Sequence, residues 1–391
     1  MNNLCTDIGF CSVNKKGEQL CGDHIEMVEQ NDNSIVFVLA DGLGSGVKAC
    51  ILSTLTSKII STMMANNMSI EDCVSTIAST LPVCEKRGIA YSTFTIIRIT
   101  DNSEAEIIQY DNPMVVMLRN GEYYEYPTTS MEIGGKTILK SKLSLEMNDV
   151  FVTMSDGAIY AGVGKTLNFG WQRDSIVDFL VGNYDKKMSA KTVAQMLLDQ
   201  CNSLYGGEPG DDTTVGAIKI RQRVPMNLLM GPPSNPADLK KMLTLFFAKE
   251  GKHIVCGGTT SKLAAEFLGK DVVPCLDYFD PEIPPIAKID GVDLVTEGVI
   301  TMTKVMKYAE DYLSDNAVYG SEWARKKDGA SRIAMLLFEE ATDINFYIGR
   351  AINPAHQNPN LPINFSIKMR LIEELSESLK KMGKRINVSY F

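Results

Sequence analysis

The sequence predicts an α/β protein of two domains, an α+β domain followed by a smaller Rossmann-like α/β domain. The chain has 391 residues and 45% hydrophobic content, which exceeds the usual size of one domain. Its first part is β-rich with a pair of long helices inserted, whereas strands and helices alternate after the polar stretch 221–225. These patterns predict domains at residues 1–222 and 226–391.

In the first domain, the apolar run 34–40 is typical of a buried strand and ends at Asp41. Apolar residues at helical spacing follow over 45–67, and Ser69 resembles the cap of a second helix. Short apolar runs separated by turn residues then predict a β-meander over 91–145. The remaining predicted elements are a strand within 149–157, helices at 172–183 and 189–204, and a strand at 213–220.

The second domain alternates between short apolar runs and amphipathic stretches, which is the pattern of a sheet covered by helices. The predicted strands lie within 227–231, 253–258, 293–298, 344–349 and 385–391. The predicted helices lie within 237–251, 261–269, 299–313 and 363–382.

Charge and composition exclude several classes of function. A net charge of −9 and a pI near 5.1 argue against nucleic acid or an anionic membrane as a partner. The sequence shows neither a secretory signal nor an apolar run of the roughly 20 residues that span a bilayer, so we expect a cytoplasmic protein. The nine cysteines lack the close pairs of zinc sites and indicate reduced thiols. With only three histidines, any metal is expected among oxygen ligands.

Two apolar strands end in a carboxylate followed by glycine, at Asp41 and again at Asp156. A buried strand has no local need for an acid at its end, so the two ends are candidates for one shared site. Clustered carboxylates repel one another unless cations bind between them, and Mg²⁺ and Mn²⁺ prefer oxygen ligands. Two such cations can activate a water and neutralise phosphoryl oxygens, which is the chemistry needed to cleave a phosphate ester. Any one Asp-Gly pair is nevertheless more often a simple turn.

Four acidic motifs occur in order and carry more weight together. They are Gly22-Asp23, Asp41-Gly-Leu-Gly-Ser-Gly46, Ser155-Asp156-Gly157 and Gly210-Asp211-Asp212-Thr213-Thr214-Val215. This series resembles the metal-dependent protein phosphatases of the protein phosphatase type 2C (PPM) superfamily, and in particular their SpoIIE-like bacterial branch. The resemblance covers about residues 5–221 and includes the turn Asp111-Asn112-Pro113.

The resemblance implies an αββα sandwich with two divalent cations, Mn²⁺ or Mg²⁺, at one end. By position, Asp41 would bridge both ions and Gly42 would contribute its carbonyl, while Asp23, Asp156 and Asp211 would complete the catalytic metal site. A bridging hydroxide would then hydrolyse phosphoserine or phosphothreonine in a protein, without a phosphoenzyme. The implied substrates are bacterial partner-switching regulators.

Supporting roles are implied or open for two further positions. Asp212 occupies the place of a frequent asparagine around the metal ligands. His24, next to Asp23, is a candidate ligand or proton donor, although a packing histidine is the more frequent case. No arginine lies near the first acidic motif, so phosphate contact is expected from the metals alone.

Two alternatives remain open for the first domain. The glycines at 42, 44 and 46 between a strand and a helix are also typical of a dinucleotide-binding turn, although their spacing is imperfect. A non-catalytic phosphoprotein-binding or scaffold module could use the same fold. The presence of all four aspartates weighs against it, because a degenerate site would tolerate their loss.

The second domain carries a candidate ligand site of its own. Gly257, Gly258, Thr259 and Thr260 lie between a predicted strand and helix, where backbone N–H groups can hold an anion. Such a segment more often forms a simple glycine turn with Thr or Ser capping the helix. Glu297 and Arg350 also follow predicted strands, where α/β folds tend to bind ligands. We expect this domain to regulate the first, and a homodimer is left open.

Overall fold

The computed structural model describes residues 3–31, 33–80, 92–275, 280–314, 322–351 and 367–391. The chain divides into two compact units, Met1–Gln222 and Arg223–Phe391. Within the described ranges, no helix combines the length and apolar character needed to cross a bilayer.

The first unit is built mainly from antiparallel strands. Its strands are β1 Leu4–Val13, β2 Asp23–Asn31, β3 Ser34–Asp41, β4 Thr93–Thr100, β5 Glu104–Tyr110, β6 Val116–Arg119, β7 Glu122–Tyr123, β8 Thr129–Ile133, β9 Lys136–Ser144, β10 Val150–Met154 and β11 Thr213–Gln222. Its helices are α1 Gly46–Ala65, α2 Ile70–Thr80, α3 Asp156–Ile159, α4 Arg173–Asn183 and α5 Ala190–Leu204.

These elements form four layers. One sheet has the strand order β1-β11-β10-β6-β7 and the other β2-β3-β4-β5-β9-β8. Between the sheets, Phe37 and Leu39 of β3 pack in one apolar cluster with Phe151 and Ile218. Helices α1 and α2 pack on the outer face of the sheet that contains β3, and α4 and α5 pack on the outer face of the other. The αββα sandwich is therefore confirmed.

Local sequence accounts for the helix pair α1 and α2. Ile60 and Met64 lie one turn apart on α1 and are buried against the sheet. Ser69 caps α2, because its hydroxyl accepts a hydrogen bond of 3.1 Å from the backbone N–H of Asp72 and donates one of 2.8 Å to that carboxylate.

The predicted meander is divided between the two sheets. Strands β4, β5, β9 and β8 lie in one sheet, whereas β6 and β7 join the other. The chain changes sheets at the turn Asp111–Pro113, where Asp111 has φ of +53°. Asn112 anchors this turn by accepting a 2.7 Å hydrogen bond from the Thr93 hydroxyl and donating a 3.3 Å bond to that of Thr95. The turn is thus fixed beside the start of β4.

The second unit is a smaller α/β fold. Its strands are β12 Pro225–Met230, β13 Lys252–Cys256, β14 Val273–Pro274, β15 Ala287–Lys288, β16 Leu294–Thr296, β17 Asp343–Ile348 and β18 Arg385–Tyr390. Its helices are α6 Leu239–Phe247, α7 Gly258–Leu268, α8 Val299–Leu313, α9 Glu322–Arg325, α10 Gly329–Ala334 and α11 Ile367–Lys381, with a 3₁₀ turn at Pro236–Asp238 and a π-helical turn at Met335–Glu340.

Its sheet has the order β14-β15-β16-β13-β12-β17-β18, and the strands from β16 to β18 run parallel. Leu228 and Phe346 on neighbouring strands are fully buried and pack in one cluster with Ile372 of α11. Parallel strands covered on both faces explain the short continuous apolar runs of the sequence. The Rossmann-like architecture is confirmed. Residues 363–366 of the predicted last helix lie outside the described residues.

Candidate metal centre

The pairing of β2 with β3 brings the first two acids together. The two strands are antiparallel, and their register places Asp23 directly opposite Asp41. One residue further, the Gly42 N–H donates a 3.1 Å hydrogen bond to the Gly22 carbonyl. Adjacent positions on paired strands lie about 5 Å apart, so the two carboxylates are close neighbours at the end of this sheet.

The other sheet supplies the remaining acids in the same way. Ser155 follows β10, and its backbone N–H donates a 3.0 Å bond to the Thr214 carbonyl. Its hydroxyl accepts a 2.9 Å bond from the Thr214 N–H. This double contact places Asp156, the first residue of α3, next to Asp211, which precedes β11.

The acids converge on Asp41, which is hydrogen-bonded to both Asp23 and Asp156. Burial raises the pKa of Asp41, and the neighbouring charges of Asp23, Asp156 and Asp211 raise it further. Burial also raises the pKa of Asp23, and Asp212 adds to that effect. For Asp156, burial and then the charge of Asp211 raise the pKa. Without cations, the pKa of Asp41, raised to about 9, favours its protonated form at neutral pH.

The acids open onto one cleft of about 870 Å³. It contains the four aspartates predicted as metal ligands, Asp23, Asp41, Asp156 and Asp211, together with Gly42 and Asp212, so these sequence-predicted residues are brought together. The lining comprises Lys15, Asp23, Asp41, Gly42, Leu43, Gly44, Ser45, Thr93, Gln109, Tyr110, Asp111, Asn112, Pro113, Thr137, Leu139, Asp156, Ile159, Tyr160, Arg173, Asp211 and Asp212.

The donor set fits hard divalent cations. Its ligating atoms are oxygens, and one carboxylate oxygen of Asp23 and one of Asp212 are buried without a hydrogen-bond partner. A cation would satisfy such atoms and relieve the repulsion around Asp41. Among the residues that the structure describes, no three His, Cys, Asp or Glu side chains enclose a single metal position. The carboxylates of Asp23 and Asp156 instead each meet that of Asp41.

The two supporting residues occupy different positions. Asp212 is buried, and one of its carboxylate oxygens accepts a 2.9 Å hydrogen bond from the Lys15 backbone N–H. His24 forms a 2.9 Å hydrogen bond with the Ser57 hydroxyl on α1, and burial lowers the pKa of its imidazole. Because successive side chains of a strand point to opposite faces, His24 faces the helix layer and Asp23 does not. This geometry favours the packing interpretation of His24.

The dinucleotide-binding alternative is wrong for this first unit. A dinucleotide turn joins a parallel strand to a helix in a βαβ unit, whereas β3 pairs with antiparallel neighbours on both sides. The segment before α1 is held instead by Ser45, whose hydroxyl donates a 3.1 Å bond to Glu18.

In the second unit, the predicted ligand residues have local partners. The Thr260 hydroxyl accepts a 2.9 Å bond from the Gly231 N–H, and Glu297 accepts a 3.1 Å bond from the Ile300 N–H at the start of α8. Gly257, Gly258 and Thr259 lie at the start of α7. The Arg350 guanidinium lies over the Tyr390 ring, 4.9 Å from its centroid. A ligand site at these strand ends stays a prediction.

Three charged residues of the cleft were not assigned a role from the sequence. Asp111 was noted only as part of a turn, and its charge contributes to the raised pKa of Asp156. Lys15 and Arg173 line the cleft as well. They lie in a polar loop and at a helix start, where basic residues are common and give no local signal.

The raised carboxylate pKa values predict how the metal-free protein responds to pH. Protonation favours the folded cluster, so the contribution of these acids to the free energy of unfolding is greatest below the ordinary pKa of 3.8 and falls as pH rises toward the raised values. We expect the melting temperature in EDTA to fall between about pH 5.5 and about pH 8.5, by about 2–4 °C for each kcal/mol lost. The Asp41→Asn variant should lose less over this interval, and saturating Mn²⁺ should remove the decline. Equal declines in variant and parent would contradict this account of Asp41.

The family match to known proteins lies in the first unit. The family model for stage II sporulation protein E (SpoIIE) matches residues 31–221. The curated stage II sporulation protein E of Bacillus subtilis (strain 168) is 22% identical over 223 residues, which cover 56% of this chain and 26% of that protein. The chain thus spans about a quarter of the length of this relative.

Two solved structures are similar to part of the chain. The phosphatase domain of SpoIIE from Bacillus subtilis, with a fragment of its regulatory domain, is 18% identical with a TM-score of 0.48, covering 56% of this chain and 63% of that one. The RsbU and RsbW domains of a Mycobacterium tuberculosis protein are 16% identical with a TM-score of 0.47, covering 62% and 70% of the two chains.

Proposed function

Residues 31–221 match the SpoIIE family model, and from this match we propose that the chain is a metal-dependent protein serine/threonine phosphatase. The observation that carries the proposal is the convergence of Asp23, Asp156 and Asp211 around Asp41 in one open cleft. A buried cluster of acids with raised pKa values is costly for the fold and has no evident structural use.

The residues of the site have separate roles in this proposal. Asp41 would contact both cations, with Asp23 on one side and Asp156 and Asp211 on the other, and Gly42 would contribute its carbonyl. Two bound divalent cations, Mn²⁺ or Mg²⁺, supply an activated water and positive charge for the phosphoryl oxygens. Asp212 holds the loop that carries Lys15 through the 2.9 Å bond to its backbone N–H. The cleft leaves room for a phosphoserine or phosphothreonine side chain above these groups.

The proposed substrate is a phosphorylated protein, and a bacterial partner-switching regulator is the candidate class. Regulation by the unit Arg223–Phe391 is part of the same proposal. An Asp156→Asn variant, which should bind substrate but turn it over slowly, can be used to trap phosphoproteins for identification.

The proposal predicts hydrolysis that depends on added metal. The purified full chain should release phosphate from a phosphoserine or phosphothreonine peptide in the presence of Mn²⁺. EDTA should abolish this activity and excess Mn²⁺ should restore it, because the carboxylates bind the ions reversibly. Phosphate release that persists in EDTA would refute the metal-dependent mechanism. Tight binding of the phosphopeptide without any turnover would favour the non-catalytic binding module instead.

A further inference from the structure

Lys15 and Arg173 are the basic residues that line the cleft among the described parts of the chain. The Arg173 guanidinium donates 3.4 Å hydrogen bonds to the Val115 carbonyl and the Tyr123 hydroxyl, and it lies 5.6 Å from the centroid of the Tyr123 ring. Lys15 instead faces the acids, with its ammonium nitrogen 3.5 Å from an Asp211 carboxylate oxygen. Lys15 is therefore the cation in contact with the carboxylate cluster.

The backbone of Lys15 is held in place from two directions. Strand β1 pairs with β11 as far as Val13 opposite Thr213, so the loop that follows begins beside the acids. The Lys15 N–H then donates to Asp212 at 2.9 Å, and the Lys16 N–H donates to the Pro209 carbonyl at 2.9 Å. These bonds fix the start of the lysine side chain at the edge of the cleft.

The end of the Lys15 side chain is less constrained than its backbone. A separation of 3.5 Å from Asp211 exceeds the usual length of a charge-assisted hydrogen bond, and 38% of the side chain is exposed. The neighbouring Lys16 shows the contrast, because its ammonium group forms a 2.7 Å ion pair with Glu208. Lys15 can thus turn toward another anion in the cleft without losing a short hydrogen bond.

We propose that Lys15 binds the phosphoryl group of the substrate, an inference that rests on the proposed phosphatase function. A divalent cation on Asp211 would neutralise the carboxylate and weaken its attraction for the ammonium group. A phosphate dianion entering the cleft then becomes the strongest anionic partner within reach of Lys15. An ammonium group with three donors suits a phosphate. Because no arginine lies near the first acidic motif, Lys15 would make the side-chain contact with the substrate phosphate.

A different role for the same residue predicts a different result. If Lys15 were only a substitute for the missing cation at Asp211, it would compete with metal and its removal would tighten metal binding. If Lys15 binds phosphate, its removal weakens phosphate binding and leaves metal affinity nearly unchanged. Metal and phosphate titrations therefore separate the two roles.

The test compares Lys15→Met with Lys16→Met in the full chain, using calorimetric titration of the Mn²⁺-loaded protein with inorganic phosphate and of the metal-free protein with Mn²⁺. For Lys15→Met we expect phosphate to bind about tenfold or more weakly, and KM for a phosphopeptide to rise by a similar factor. We expect kcat and the Kd for Mn²⁺ to change by less than about threefold, since Lys15 donates no metal ligand. Lys16→Met should match the parent protein, and Lys15→Arg should restore most of the phosphate affinity. Circular dichroism and thermal melting confirm that each variant is folded.

Unchanged phosphate affinity in Lys15→Met would overturn the inference about Lys15. If Mn²⁺ binding were at the same time tightened about tenfold, Lys15 would instead be a substitute for the cation at Asp211. Failure of the phosphatase proposal is a separate observation, because the parent protein would then bind Mn²⁺ but hydrolyse no phosphopeptide. The phosphate titration still decides the role of Lys15 in that case.

Discussion

Asparagine in place of Asp41 is expected to lower kcat for a phosphopeptide by about a thousandfold or more, because the loss affects both proposed cations at once. Asp41 is the residue at which the other carboxylates meet, through hydrogen bonds to Asp23 and Asp156. Asparagine keeps the size and one hydrogen-bonding oxygen of the side chain, so the fold should persist. The measurement is phosphate release at saturating Mn²⁺, with KM and kcat determined separately.

A matched control is available on the same sheet. Asp101 follows β4 at an exposed turn with φ of +51°, a conformation that asparagine also adopts readily. Asp101→Asn makes the same chemical change away from the cleft and should retain full activity. If Asp41→Asn were as active as this control, the assignment of Asp41 to the metal centre would be wrong.

The same substitution should have opposite effects on activity and on metal-free stability. The charge of Asp23 adds to the burial that raises the pKa of Asp41 only while both acids remain together. Removing one charge from the cluster reduces repulsion that the metal-free fold must otherwise relieve by protonation. A variant that is inactive yet melts higher in EDTA would thus be evidence that the cluster is retained for function.

Local sequence determined much of this architecture. Strand β3 could be predicted because its apolar run ends abruptly in a carboxylate, and α2 because Ser69 and Asp72 form its cap. Helix α8 was predicted at 299–313, where the structure has Val299–Leu313. Each of these signals lies within a few residues of the element that it defines, so no long-range information was needed.

The features that were missed depend on contacts between distant residues. The local sequence does not distinguish strands β6 and β7 from their neighbours. They belong to the other sheet because β6 pairs with β10. Strand β8, Thr129–Ile133, is mostly polar and exposed, so it has no apolar run to mark it. Lys15 reaches the acids because β1 pairs with β11 about 200 residues away, a register that its own loop does not encode.

The close approach of Gly157 to the segment just before β11, which carries Asp211 and Asp212, predicts the second large effect. A Cβ atom at Gly157 would lie 2.1 Å from the Asp212 carbonyl oxygen and 2.5 Å from the Thr213 hydroxyl oxygen. The Asp212 atom belongs to the backbone and the Thr213 side chain is fully buried, so neither group can move aside. Gly157→Ala must therefore separate Asp156 from Asp211, and we expect it to cost about 1–3 kcal/mol of folding free energy.

Gly157→Ala should also weaken Mn²⁺ binding by about tenfold or more, since the proposed ligands on α3 and before β11 would move apart. The matched control is Gly182→Ala on α4, where an added Cβ would meet nothing within 4 Å. That change should leave Mn²⁺ affinity unaltered and stabilise the helix by up to about 1 kcal/mol. Chemical denaturation in EDTA and calorimetric titration with Mn²⁺ measure the two effects separately. If Gly157→Ala bound Mn²⁺ as tightly as the control, Asp156 and Asp211 would not need this close contact to share a metal.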